Sequence, residues 1–229
     1  MAADFGSHLA KFLCAATIDF ELPPGFVSLV PYADAEVQRV VNEFCTRYYN
    51  GNQKRLALWG INPGRFGAGI TGICFTDPVS LSGQLEIPST LTGRRELSAE
   101  FISMVIDEYG GPTAFYRDVY LGALSPIGFV REGKNINFYD DKTLARTIVP
   151  FIRYNLQTIT SFGLQSSAAI LLGSGSLQSY VQKHLSDHFS KMKVLALDHP
   201  RFIMQYKRSR VHEYVKRYVD SIAVYSQFR

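Results

Sequence analysis

From Asp34 onward the chain alternates between two hydrophobic periods. In "DAEVQRVVNEFCTRYYNG" the apolar positions Val37, Val40, Val41, Phe44 and Tyr48 recur at helical spacing, with Asp34 placed to cap the start and Gly51 to end it. The next apolar run, "RLALWG" over residues 55–60, has the length of a buried strand. A second helix is expected over "AEFISMVIDEYGG", with Ser98 as its cap, Phe101, Ile102, Val105 and Ile106 on one side and Gly110 closing it. "FYRDVYLGALSPIGFV" reads as a strand that runs into a turn at Ser125-Pro126. The segment "DKTLARTIVPFIRYNLQTITSF" has helical spacing, and Pro150 inside it must kink one helix or separate two, because proline lacks the N–H a helix interior needs. "SAAILLGSGS" then predicts a strand ending in a Gly/Ser turn, "LQSYVQKHLSDHF" a helix, "KVLALDHP" a strand and "RVHEYVKRYVDSIAVY" a closing helix.

Strands and helices thus alternate through the latter three-quarters of the chain, which predicts an α/β fold with a mostly parallel sheet covered on both faces. No linker, repeat or low-complexity segment interrupts the pattern, so a single domain over residues 1–229 is expected. In open parallel sheets the ligand crevice lies outside the carboxyl ends of the strands. The strand ends here read "GINPG", "GALSP", "GSGS" and "DHPRF", and the expected topology brings all four to one mouth.

Composition narrows the picture only a little. With 229 residues, 46% hydrophobic and 19% charged, the chain suits a compact globular core. A net charge of +4 favours a polyanionic partner without specifying one. Cys14, Cys45 and Cys74 are odd in number and widely spaced with no CxxC, which argues against a disulfide framework or a cysteine zinc site and for a reducing compartment. The N-terminal stretch lacks a basic leader with an apolar core, and no apolar run reaches membrane length. A soluble, intracellular, monomeric protein without a membrane partner is expected, cytoplasmic and nucleoid-associated if the source is bacterial.

Two segments carry candidate chemistry. In "GINPGRFG" the glycines let the backbone turn sharply and approach a ligand, and their spacing is neither the dinucleotide GxGxxG nor the P-loop GxxxxGK[ST]. Asn62 stands alone among them, and an ordinary turn residue before Pro63 is the plain alternative. In "LDHPRFIMQYKRSR", His199 and Pro200 end a strand. Arg201, Lys207, Arg208 and Arg210 can neutralise phosphates, and Phe202, Ile203, Met204 and Tyr206 are wedges of the kind pushed between stacked bases. The plain alternative is that these apolar side chains face the core.

Weaker signals surround them. Ser174 and Gly175 open a helix whose backbone N–H groups can meet a phosphate. Arg94 and Arg95 form a basic turn before a helix. His184 and His188 have an i, i+4 spacing that zinc can use, but with neither an HExxH glutamate nor a third ligand no metal site is expected. No Ser-His-Asp or Cys-His set stands out, and Cys74 reads as pocket lining.

Taken together, "GINPGRFGAGITGICF" and "DHPRF" resemble the two motifs of the uracil-DNA glycosylase superfamily, specifically the single-strand-selective monofunctional (SMUG) family and its bacterial relatives. Gly60 to Gly67, with Thr71, Gly72 and Phe75, match the first motif, G-[MI]-N-P-G-x-F-G then T-G-x-x-F, in register; the similarity spans roughly residues 55–210. The resemblance implies a three-layer α/β/α sandwich around a four-stranded parallel sheet, with a DNA groove across its carboxyl edge. It implies base flipping and hydrolysis of an N-glycosidic bond on DNA carrying uracil or a related damaged base, with no cofactor and no metal.

Residue by residue, Asn62 matches the position that holds the attacking water and His199 the histidine that stabilises the departing base anion. Phe75 matches the stacking aromatic, and Gly60, Ile61, Gly64, Phe66 and Gly67 would shape the base-binding wall. Pro63, Ser174, Gly175, Pro200 and Arg201 would lie at the DNA surface with Lys207, Arg208 and Arg210, while Phe202, Ile203 or Met204 would fill the gap in the duplex. Two departures stand out. The second motif reads HPRFIM rather than HPSPRN, and Gly122 and Ala123 stand where many members carry the asparagine that reads the uracil edge. Ser125 or Asn137 can take over that reading, backbone groups can suffice, or the preferred base departs from uracil toward one such as xanthine. A non-catalytic nucleic-acid-binding member of the same fold and a nucleoside or nucleotide hydrolase are the competing readings.

Overall fold

The computed structural model describes residues 4–228. Its strands are β1 (Phe26–Leu29), β2 (Arg55–Gly60), β3 (Val119–Ala123), β4 (Gly128–Arg131), β5 (Lys134–Ile136), β6 (Leu164–Leu172) and β7 (Lys193–Leu197). Four of them form an all-parallel sheet in the order β3-β2-β6-β7. Every residue of β2 and β3 is buried, as expected of strands covered on both faces, and even Arg55 at the edge of β2 is enclosed. The Arg55 guanidinium donates to the carbonyls of Tyr116 (2.9 Å) and Asn50 (2.7 Å) and lies over the ring of Phe5. That contact ties the N-terminal helix Phe5–Cys14, on which the sequence motifs were silent, to the sheet.

The chain leaves β2 toward β3 on one side and returns to β6 on the other. A connection that reverses direction opens a crevice at the carboxyl ends, between the loops after β2 and β6. Helices Ala35–Tyr48, Leu97–Tyr109, Val149–Ser161 and Val211–Tyr225 bury their apolar faces around the sheet.

Several expectations change in detail. The expected strand from Phe115 is a helix, Pro112–Asp118, followed by β3, and residues beyond the Ser125-Pro126 turn belong to β4. Pro150 separates two helices, Lys142–Thr147 and Val149–Ser161, and sits in the first turn of the second, where its missing N–H costs nothing. Helix Leu97–Tyr109 starts earlier than Ser98 allows; Ser98 is buried within its first turn. The pair His184 and His188 is split between helices Ser176–His184 and Ser186–Phe189.

A second, antiparallel sheet in the order β1-β4-β5 was absent from the sequence reading. Its β4–β5 hairpin turns on Glu132 and Gly133, both at positive φ (50° and 71°), the geometry of a two-residue type I′ turn. The hairpin carries Lys134, Asn135 and Asn137 to the mouth of the main sheet.

Candidate active site

Asn62 follows β2 directly, and both ends of its carboxamide are held. Its Nδ2 donates to the carbonyls of Ile136 (3.2 Å) and Pro63 (3.3 Å), and its Oδ1 accepts from the N–H of Phe138 (3.2 Å). The β5 hairpin end therefore fixes the amide orientation, a contact between residues 74 and 76 positions apart. From the other side, the N–H groups of Leu124 and Ser125 bond the carbonyls of Gly60 and Ile61 and lock the strand end.

Across the pocket stands His199, the N-cap of helix Pro200–Tyr206. Its Nδ1 accepts from the N–H of Arg201 at 3.1 Å. A neutral imidazole with Nδ1 engaged as acceptor carries its proton on Nε2. Burial, and then the charge of Arg201, pull the pKa of the ring from 6.5 down to about 4. His199 is thus a neutral N–H donor at physiological pH.

Phe75 lies beside it, with ring centroids 5.9 Å apart. Phe75 holds φ at +53°, an outlier for a bulky residue and of a kind that clusters at functional sites. Its ring covers Gly60, where a Cβ would come within 2.8 Å of the ring carbons, so only glycine fits beneath it. A Cβ at Gly67 would meet Glu96 Oε2, the far end of a flexible side chain that would have to turn aside.

One cavity joins these groups. Ile61, Asn62, Pro63, Gly64, Cys74, Phe75, Asn137, His199 and Arg201 all line it, together with Glu96, Asn135 and Ala123. Residues more than a hundred positions apart meet there because the strands that carry them end at the same edge. Ser125 does not join them. It is fully buried, its hydroxyl donating to the Ile127 carbonyl (2.7 Å) and accepting from the Ile127 N–H (3.3 Å) within its own turn. Ala123 lines the cavity without a polar atom on its side chain, which leaves Asn135 and Asn137 as the amides, besides Asn62, that line it.

Glu96 is the functional candidate that sequence reasoning missed. Its carboxyl faces the cavity, and burial, reinforced by the charge of Asp77 and opposed by Arg201, raises its pKa. Asp77, fully buried, accepts from the N–H groups of Ser80 (2.7 Å) and Glu96 (2.6 Å) and so pins the Glu96 backbone. Nothing in "TGRRELS" signals this.

The segment after His199 forms a helix rather than the loop expected. Its spacing sorts the wedge candidates: Ile203 and Met204 are 0% and 2% exposed and pack into the core, while Phe202 and Tyr206 are 42% and 63% exposed and pair their rings at 5.3 Å. Pro200 is buried in the first turn. Phe202 and Tyr206 line a second cavity with Ser174 and Gly175, and Ser174 donates to Asp198 (2.6 Å). Phe66 lines a third, cationic cavity that shares Glu96, Asn135 and Arg201 with the first. Lys207, Arg208 and Arg210 line none of these three; Arg208 pairs with Glu100 (2.9 Å) and Arg210 with Glu213 (2.6 Å).

A parallel sheet whose edge gathers an oriented amide, a neutral imidazole donor and an aromatic ring defines a protein built to hold a flat, polar ring. The family model of the uracil DNA glycosylase superfamily matches residues 46–223. The crystal structure of wild-type Pedobacter heparinus SMUG2 superposes with a TM-score of 0.90 at 33% sequence identity, covering 96% of this chain and 97% of that one. No curated protein matches the chain significantly. The chain belongs to the uracil-DNA glycosylase superfamily and, within it, to the SMUG family. DNA glycosylase activity in its general form, hydrolysis of an N-glycosyl bond, comes with that membership.

Proposed function

We propose that this glycosylase draws uracil, or a related deaminated or oxidised base, out of DNA into the Asn62–His199 pocket, hydrolyses its N-glycosidic bond and leaves an abasic site in base excision repair. The observation that carries this reading is the shared cavity lined by Asn62 and His199, with His199 bonded through Nδ1 so that Nε2 keeps its proton.

As the glycosidic bond breaks, its electron pair goes to the base and positive charge develops on the sugar. The Nε2–H of His199 donates to the carbonyl oxygen where the anion collects. A neutral donor suits this role because the charge it stabilises appears only in the transition state; one such donor is worth about 100- to 1000-fold in rate. Water then bonds to the sugar carbon and releases its proton to solvent. Asn62 is no base, but a cation-like sugar needs only a weak nucleophile held in place. Both N–H groups of Nδ2 are taken up by the Ile136 and Pro63 carbonyls, whereas Oδ1, which accepts from the Phe138 N–H, keeps a lone pair that accepts from a water.

Phe75 stacks on the flipped ring, and Asn137 and Glu96 meet its polar edge. The Phe202–Tyr206 face is the element that fills the space the base leaves.

Incubation with oligonucleotides carrying uracil, xanthine or 5-hydroxymethyluracil, followed by alkali, tests the reading. Strand breaks at the damaged position are expected for at least one of them. Intact strands for all three, with binding retained, would leave the non-catalytic reading instead.

A further inference from the structure

The cavities flanking the base pocket differ in charge. On the side of helix Pro200–Tyr206 the lining is neutral and aromatic apart from Asp198 and Arg201. In the other cavity Arg65, Arg94, Arg95, Lys134 and Arg201 surround the half-buried ring of Phe66. This cationic cavity shares Glu96, Asn135 and Arg201 with the base pocket, so the two form one continuous trough.

Like charges do not gather without a cause, and six of the chain's other arginines show the usual remedy, although Arg55, Arg146 and Arg217 have no ion pair among the described residues. Arg39, Arg47, Arg117, Arg153, Arg208 and Arg210 each sit within 3.1 Å of a carboxylate. Among the described residues Arg65, Arg94 and Lys134 have no carboxylate within the 4.0 Å that defines an ion pair. Arg95 donates to the Ser80 hydroxyl (3.1 Å), and its one carboxylate neighbour, Asp77 at 4.0 Å, already accepts two backbone N–H bonds. The Nε of Arg65 is buried and has no acceptor. What holds these side chains is the Phe66 ring: the Arg94 and Arg65 guanidinium carbons lie 4.0 and 4.9 Å from its centroid. Arg65 and Arg94 are thus positioned beforehand and, like Lys134, are left without an ion-pair partner, although the Glu96 carboxyl lines the same cavity.

We propose that this cavity seats the phosphodiester backbone of the DNA strand that carries the extruded nucleotide. The proposal rests on the glycosylase reading for its direction, since the trough leads into the base pocket. Its chemistry stands separately. Guanidinium groups match phosphate oxygens in a two-pronged way that ammonium groups do not, and their planes give neighbouring bases a surface to stack on. A small anion would need two or three of these groups; cations spread over four chain segments, from the loop after β2 to helix Pro200–Tyr206, fit a repeating polyanion.

The test is a salt titration of binding to an undamaged, fluorescein-labelled single strand about 15 nucleotides long, a length that covers such a trough. Each phosphate contact adds about 0.7 to the slope of log affinity against log salt. The variant Arg65→Gln/Arg94→Ala/Lys134→Ala is expected to lose about 2 from that slope. The control Lys54→Ala/Lys191→Ala/Lys216→Ala removes as much charge from exposed lysines outside the trough and should keep the wild-type slope. Arg65→Lys/Arg94→Lys should keep the slope and lose affinity. Equal slopes for the two triple variants, at matched melting temperatures, overturn the proposal, as does displacement by inorganic tripolyphosphate as effective, per phosphate, as by unlabelled strand. Because no base is cut in this assay, a wild type with a steep slope but no excision removes the glycosylase reading and leaves the trough standing.

Discussion

Two basic regions of this chain invite a nucleic acid, and they were built in opposite ways. The stretch from Arg201 to Arg210 is contiguous, rich in cations and bulky apolar groups, and conspicuous in the sequence. The trough around Phe66 draws one or two residues from each of four separate segments and is invisible there. In the folded chain their standing reverses. Helix formation turns Ile203 and Met204 into the core, and acidic neighbours on other turns neutralise Arg208 and Arg210. In the dispersed set, Arg65, Arg94 and Lys134 stay without an ion pair among the described residues. Charge density along a sequence measures only what is adjacent in one dimension; a phosphate reads what converges in three and what remains unneutralised.

The pocket between the two regions supplies the largest expected effect and the reference for the comparison. Asn62→Ala and His199→Ala should each lower single-turnover excision about 100- to 1000-fold while leaving the salt slope of binding untouched. A loss of binding equal to the loss of excision would place these residues in the grip rather than the chemistry.

The contiguous region should divide by face. Ile203→Ala is expected to cost about 2–5 kcal/mol of stability by chemical denaturation, as a core truncation does, with no specific effect on DNA. Phe202→Ala should leave the melting curve near wild type and slow excision from duplex more than from single strand. If Ile203→Ala behaved like Phe202→Ala, the helix would not sort these side chains as described.

A smaller difference separates the cations. Arg208→Ala/Arg210→Ala should reduce the salt slope by less than Arg94→Ala/Lys134→Ala, because a paired guanidinium must give up its carboxylate before it meets a phosphate. The reverse order in fluorescence anisotropy would restore the contiguous region to first place.

The smallest effect is one of pH. Unfolded His199 takes up a proton near 6.5, whereas the folded ring does so only near 4, so between these values the unfolded chain binds the extra proton and acidification favours it. His199→Asn should therefore lose less stability than wild type between pH 6.5 and 4 in denaturation measured across that window. Excision above pH 5 should show no limb from this histidine. An acidic limb that persists in His199→Asn and vanishes in Glu96→Gln would assign it to the raised carboxyl of Glu96.

Sequence alone determined the parallel sheet, the strand ends that meet at its edge and the identities of Asn62, Phe75 and His199. The sheet and its strand ends follow from local pattern, since buried strands announce themselves as apolar runs; Asn62, Phe75 and His199 are singled out by the resemblance of their motifs to a known family. Tertiary structure decided what depends on distant partners. It closed Ser125 into its own turn, set Glu96 against Gly67, brought the β4–β5 hairpin to hold the Asn62 amide, and divided the cations into those with a carboxylate within reach and those without. Hydrogen bonds and ion pairs act over a few ångströms in space, and a linear pattern carries no record of which residues the fold will bring that near.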